Sequence, residues 1–137
     1  MLPITKGQRL FYGVICAEAL LVAVLGLFAP EYLASIFTWA VLPPLHARFV
    51  GAIYLFGAVF IGGCVFAKTQ SEVRWAVQTI GIWTGMMFII SLLNLEAFDF
   101  KLLPVWIWFA SYIIDPLIAI WIILRERKSQ QIGTLSG

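Results

Sequence analysis

Charge is what this chain has least of. Only 12% of its 137 residues are Asp, Glu, Lys or Arg, against about 25% in a soluble domain. So few groups cannot give a globule of this size a polar surface, which excludes a soluble enzyme and a solvated disordered tail. The formal net charge of +2 offers no basic footprint for a phosphate backbone, so nucleic acid is excluded as a partner. Two cysteines and one histidine make neither a disulfide framework nor a metal-ligand cluster. No Ser/His/Asp set and no glycine-rich phosphate loop is present. The sequence therefore reads as non-enzymatic, with no cofactor and no metal expected.

What fills the chain instead is apolar: 62% hydrophobic residues and a mean hydropathy of +0.97. Four runs, 10–29, 49–67, 75–95 and 102–124, are long enough for a hydrocarbon core that takes about 20 helical residues to cross. In lipid every backbone N–H and C=O needs a partner within its own segment, so these runs are read as helices. The period-2 alternation of an outer-membrane barrel is absent. The first run contains Glu18, exceeds a signal-peptide apolar region in length and lacks a small-x-small site after it, so it is read as a retained span. The expected fold is an all-α membrane protein: one antiparallel four-transmembrane-helix bundle over 1–137.

Lys and Arg set the expected orientation. An arrangement with both termini on one side gathers Lys6, Arg9, Lys68, Arg74, Arg125, Arg127 and Lys128 there, against Arg48 and Lys101 on the other. By the positive-inside rule the termini are cytoplasmic, in a multi-pass protein of the cell (inner) membrane with a cytoplasmic tail at 125–137. Trp39, Trp106 and Trp108 fall near the outer boundary, and Trp75 and Trp121 near the inner one, as aromatic belts do. The connections at 68–74 and 96–101 are short. The first outer connection is long and greasy, and Leu33, Ile36, Phe37 and Ala40 recur in it at helical spacing. Two readings of this interfacial segment, 31–42, stand: a short helix lying in the interface and ended by Pro43-Pro44, or a hydrophobic loop folded over the bundle.

Membrane helices associate through close packing of small residues. Such pairs occur at Gly13/Ala17, Ala47/Gly51, Ala58/Gly62, Gly63/Ala67 and Gly81/Gly85. The second span is small on several faces, which suits a central position. Gly81 and Gly85 serve either packing within the bundle or contact with a second copy of the chain.

Ionisable groups inside a span are costly, and mark candidate sites. Glu18 lies nine residues in from Arg9, and Asp115 ten in from Arg125, depths of about 14 Å and about 15 Å at the helical rise. Both carboxyls therefore sit near the midplane. At one level in a low dielectric they do not both stay ionised; a shared proton, or a cation between them, relieves the cost. Pro116 deprives the Tyr112 carbonyl of its helical donor and is expected to kink the fourth span beside Asp115. Ser111 and Tyr112 one turn before Asp115, and Trp108 two turns before, complete a polar-aromatic stripe expected to face the bundle interior. A structural role for each carboxyl, holding the kink or bonding a neighbouring helix, stands beside the functional one.

Arg48 and His46 begin the second span at the outer side, where the helix dipole disfavours cations. Arg48 calls for an anion: a salt bridge to Glu31, Glu96 or Asp99, a reach along its own stem to Glu18, or an anionic head group or carboxylate ligand. His46 reads as a hydrogen-bonding surface residue. Cys16 and Cys64 read as small packing residues.

The stretches HARFVGAIYL at 46–55, EAFDF at 96–100 and WIWF at 106–109 resemble a group of small bacterial four-helix integral membrane proteins. The resemblance implies a bacterial membrane protein and no particular activity. Glu18 within VICAE is also similar in placement to the first-helix glutamate of small multidrug-resistance transporters. That similarity is one of architecture, since the long outer connection, Asp115 and Arg48 depart from the pattern of those transporters. The expected function is that of a polytopic membrane protein, either an accessory subunit or a binding module for a small apolar or amphipathic ligand. A small proton-coupled transporter using Glu18 and Asp115 is the alternative, and a lipid-modifying enzyme is a third class. The expected partners are the lipid bilayer and, beyond it, a larger membrane complex or further copies of the chain.

Overall fold

The computed structural model describes residues 2–37 and 44–135. Five α-helices account for most of them: α1 (Lys6–Phe28), α2 (Pro30–Phe37), α3 (Pro44–Phe66), α4 (Gln70–Leu93) and α5 (Leu103–Leu135). All but α2 are long and apolar enough to cross a membrane. Their bounds differ from the apolar runs because caps and polar first turns precede the greasy residues. Thr5 opens α1 in a capping box: the Gln8 N–H donates to Thr5 Oγ1 at 3.2 Å, and the Thr5 N–H donates to Gln8 Oε1 at 2.9 Å. Thr69 and Glu72 repeat the device at α4. Pro30 and Pro44 stand at first helical positions, where a missing N–H costs nothing. The segment read as a tail continues α5 past the basic cluster.

The short helix between the first two spans is α2, so the helical reading of the interfacial segment holds over Pro30–Phe37. Trp39, Ala40 and Pro43, which entered the belt and interfacial readings, lie outside the described residues. Leu33 is buried at 1% exposure and packs with Val22, Val105 and Trp108. Through that contact α2 closes the end of the bundle opposite the termini.

Packing is uneven. α1 lies against α3 along its length, and α4 against α5, whereas the two pairs meet each other sparsely. In the first pair the backbones nearly touch. A Cβ on Gly26 would come within 2.7 Å of the Ala47 carbonyl oxygen, and one on Gly51 within 2.8 Å of the Leu27 nitrogen. A Cβ on Gly62 would stand 3.2 Å from Cys16 Sγ, and that thiol donates to the Ala58 carbonyl. A Cβ on Gly81 would stand 3.3 Å from Ala119 of α5, while Gly13, Gly63 and Gly85 have open space where a Cβ would stand.

The buried apolar residues form two clusters. One, towards the termini, contains Tyr12, Ile15, Ile61, Val73, Val77 and Ile122. The other, towards α2, contains Val22, Leu33, Val105, Trp108, Phe109 and Tyr112. The outward faces are apolar as well: Phe28, Phe56, Val59, Phe66, Leu93 and Leu103 are each more than 70% exposed. In water such a surface would be an aggregation liability. In a bilayer it is the solvated face, and the protein is a multi-pass membrane protein.

Candidate functional site

A layer of polar and aromatic side chains lies at mid-height, where the two core clusters meet. Glu18 is the thirteenth of the 23 residues of α1, and its half-buried carboxylate accepts a hydrogen bond from Ser111 Oγ of α5 at 3.3 Å. Asp115, one turn further along α5, is buried and lies within electrostatic reach of Glu18. Ser111 and Asp115 share a face because residues four apart on a helix do. Pro116 sits inside α5 directly after Asp115, so the Tyr112 carbonyl in this layer has no helical N–H to receive.

The aromatic part extends the layer across the other pair. Tyr54 of α3 and Tyr112 of α5 join their hydroxyls at 2.6 Å. Trp83 of α4 meets the Tyr54 ring edge-on at 6.5 Å and approaches the Tyr112 hydroxyl. Trp108 packs on Tyr112 at 4.5 Å between ring centroids and donates through Nε1 to Ser91 Oγ. Thr84, buried in α4, turns its hydroxyl back to the Ile80 carbonyl, and Ser91 does the same to Met87. These hydroxyls spend their donors on their own helix. Four helices thus converge near mid-height with two carboxyls, two phenols and the Trp83 indole, while Trp108, buried rather than in an interfacial belt, lies about two turns from Asp115 towards α2.

Of the residues singled out from sequence, Glu18, Ser111, Tyr112 and Asp115 come together in this layer. Arg48 and His46 do not. Both are exposed on the first turns of α3, and among the described residues Arg48 bonds neither Glu18 nor Glu31, Glu96 or Asp99. Gly51, Gly62 and Gly81 lie at helix contacts, and Gly85 lies on an open face.

Sequence reasoning passed over Tyr54, Trp83 and Ser91, because an isolated Tyr, Trp or Ser in an apolar run has no local signature. It also passed over the polar closure of the terminal end. There, buried Gln8 and Gln70 bond each other, Gln70 Nε2 donating to Gln8 Oε1 at 2.6 Å. Residues 2–4 pair with the turn between α3 and α4 through Ile4 N–H to the Lys68 carbonyl and Gln70 N–H to the Leu2 carbonyl. Arg9 donates to the Val65 carbonyl, and Arg74 pairs with Glu126 at 2.7 Å. Trp121 stacks under Arg125 at 5.4 Å. Beneath this lid the Tyr12 hydroxyl is fully buried with no hydrogen-bond partner among the described residues.

With this geometry in hand, no protein-family model, curated protein or solved structure matches the chain. The resemblances noted in the sequence therefore assign no activity, and function has to be argued from the polar layer itself.

Proposed function

We propose that the protein is a non-enzymatic membrane binding module, and that its mid-membrane layer receives a small amphipathic ligand carrying a cationic or hydrogen-bond-donating group. One observation carries this reading. Among the described residues the half-buried Glu18 carboxylate has a single, long hydrogen bond at 3.3 Å, although a carboxylate offers about four acceptor positions. A carboxylate so little satisfied at mid-membrane depth is expensive, and a donor group would offset the cost. Aromatic faces of Tyr54, Tyr112, Trp83 and Trp108 supply the apolar and cation-attracting surroundings such a ligand needs. The orientation that fits places the end with both termini in the cytoplasm, where seven of the nine Lys and Arg gather.

Gentle extraction followed by mass spectrometry tests this. A small amphiphile that co-purifies with the wild type and is lost in Glu18→Gln supports the module. A stoichiometric partner protein with no small molecule would move the reading to an accessory subunit. Binding of a lipophilic amine should weaken as pH falls, since protonation removes the charge it pairs with.

Proton-coupled transport is the second reading. It is favoured by the way the two helix pairs meet, through side-chain bonds such as Glu18–Ser111 and Tyr54–Tyr112 rather than close backbone contact. Such pairs can separate and re-form around a site. Liposomes should then show proton-linked flux that Glu18→Gln or Asp115→Asn abolishes without loss of folding; unchanged flux in both variants would sink it.

A further inference from the structure

A separate feature lies towards the termini, where α3 and α4 diverge from the short turn that joins them. The divergence leaves an open groove of about 560 Å³. Its walls are apolar, with Phe60, Gly63 and Phe66 from α3 and Val73 and Trp75 from α4, and none of the mid-membrane layer lines it. Phe66 and Trp75 are 83% and 76% exposed, so the groove opens sideways to the bilayer. Gly63 lines it from open space, since a Cβ there would meet nothing within 4 Å.

The polar end of the groove is specific in charge. Glu72 lines it from the first turn of α4. Its Oε1 serves the helix cap, accepting from Thr69 N–H at 3.1 Å and Thr69 Oγ1 at 2.7 Å, while among the described residues Oε2 accepts only the Lys68 N–H at 3.3 Å. One face of the carboxylate is therefore open to a donor. Lys68, on the same turn, is exposed and within electrostatic reach of Glu72. The groove thus ends in the Glu72 anion, with the Lys68 cation close by on the turn outside its lining.

We propose that this groove binds one zwitterionic phospholipid bearing a primary ammonium group. An acyl chain lies along Phe60, Gly63 and Phe66, the ammonium donates to Glu72 Oε2, and the phosphate faces Lys68. A quaternary ammonium has no N–H to donate. An anionic lipid without an amine can set its phosphate towards Lys68 but brings no donor to Glu72.

The test is native mass spectrometry of delipidated protein titrated in mild detergent with phosphatidylethanolamine, phosphatidylcholine or phosphatidylglycerol. One phosphatidylethanolamine should be retained about threefold better than either other lipid, the modest advantage of a charge-assisted hydrogen bond at an exposed carboxylate. In Glu72→Gln, whose amide oxygen can still cap α4, that preference should fall to near parity. Gly63→Trp fills the groove from an open position and should abolish retention of all three lipids, with helicity checked by circular dichroism. Equal retention of phosphatidylethanolamine and phosphatidylglycerol by the wild type would overturn the proposal, as would a Gly63→Trp variant that still holds the lipid. Glu18→Gln should leave lipid retention as it is, so failure here is distinguishable from failure of the mid-membrane site.

Discussion

The seam between α1 and α3 and the junction between the two helix pairs solve the same problem in opposite ways. Along the seam, Gly26 meets Gly51 and Cys16 meets Gly62, and backbones approach until no side chain fits between them. Across the junction, contact is made by long polar and aromatic side chains: Gln8 to Gln70, Glu18 to Ser111, Tyr54 to Tyr112. Lipid offers no hydrophobic drive for helix association, so van der Waals fit and hydrogen bonds are the available forces. The seam relies chiefly on the first. The junction uses the second, and it is where charge, aromatic surface and separable contacts coincide.

The largest expected effect comes from breaking the seam. Gly51→Leu places side-chain atoms where even a Cβ lies 2.8 Å from the Leu27 nitrogen. Unlike a flexible side-chain tip, that backbone cannot yield. Overpacking of this kind costs typically about 1–3 kcal/mol, and more where nothing can shift. Thermal unfolding in detergent should show the loss, with α1 and α3 parting first. A variant as stable as the wild type would mean the seam is not close-packed.

At the junction, Gln8→Leu comes next. It leaves the buried Gln70 Oε1 without its donor, although Gln70 Nε2 keeps the Pro3 carbonyl, a penalty of about 1–3 kcal/mol for a stranded polar atom. It also removes the capping partner of Thr5, worth about 1 kcal/mol or less. The double variant with Gln70→Leu should recover part of the loss, because both partners are then apolar. A double-mutant cycle read by chemical denaturation checks this, and strict additivity would contradict it.

Tyr54→Phe should cost less, about 0.6 kcal/mol, the average for interhelical hydrogen bonds in a membrane protein. The ring stays, so the edge-on contact with Trp83 is kept and only the bond to Tyr112 is lost. If the junction positions a ligand, binding should fall more than stability does. Parallel denaturation and ligand titration separate the two effects.

The seam and the junction were not equally legible. Span number and the antiparallel arrangement follow from run length and turn residues, local properties, whereas helical spacing left the short helix as one of two readings. Ala47, Gly51 and Gly62 were visible because small residues four apart announce a packing face. Gly26 was not, because Val22 precedes it by one turn and its partner lies on another helix. Glu18 and Asp115 stood out as charges in apolar runs, and Ser111 and Tyr112 through their spacing from Asp115. Tyr54 and Trp83 needed the three-dimensional junction, since nothing in the sequence says which helices face each other. Arg48 was conspicuous for the same reason as Glu18, yet it stands exposed, because a long cationic side chain at a helix start can reach the membrane surface rather than a buried anion.

The smallest expected effect sharpens the comparison most. Gly81 and Gly85 look alike in sequence, but a Cβ on Gly81 would stand 3.3 Å from Ala119, whereas one on Gly85 would meet nothing within 4 Å. Within a single chain, Gly85→Ala should therefore be neutral to slightly stabilising, by a few tenths of a kcal/mol and up to about 1, as alanine favours the helix. Gly81→Ala should be neutral only if Ala119 can give way. If Gly85 instead serves a contact between copies, its alanine variant will shift the oligomeric state without touching monomer stability. Analytical ultracentrifugation beside thermal denaturation reads both quantities. An unchanged sedimentation profile assigns Gly85 to a lipid-facing surface, leaving the close-packing role to glycines that meet another helix of the same chain.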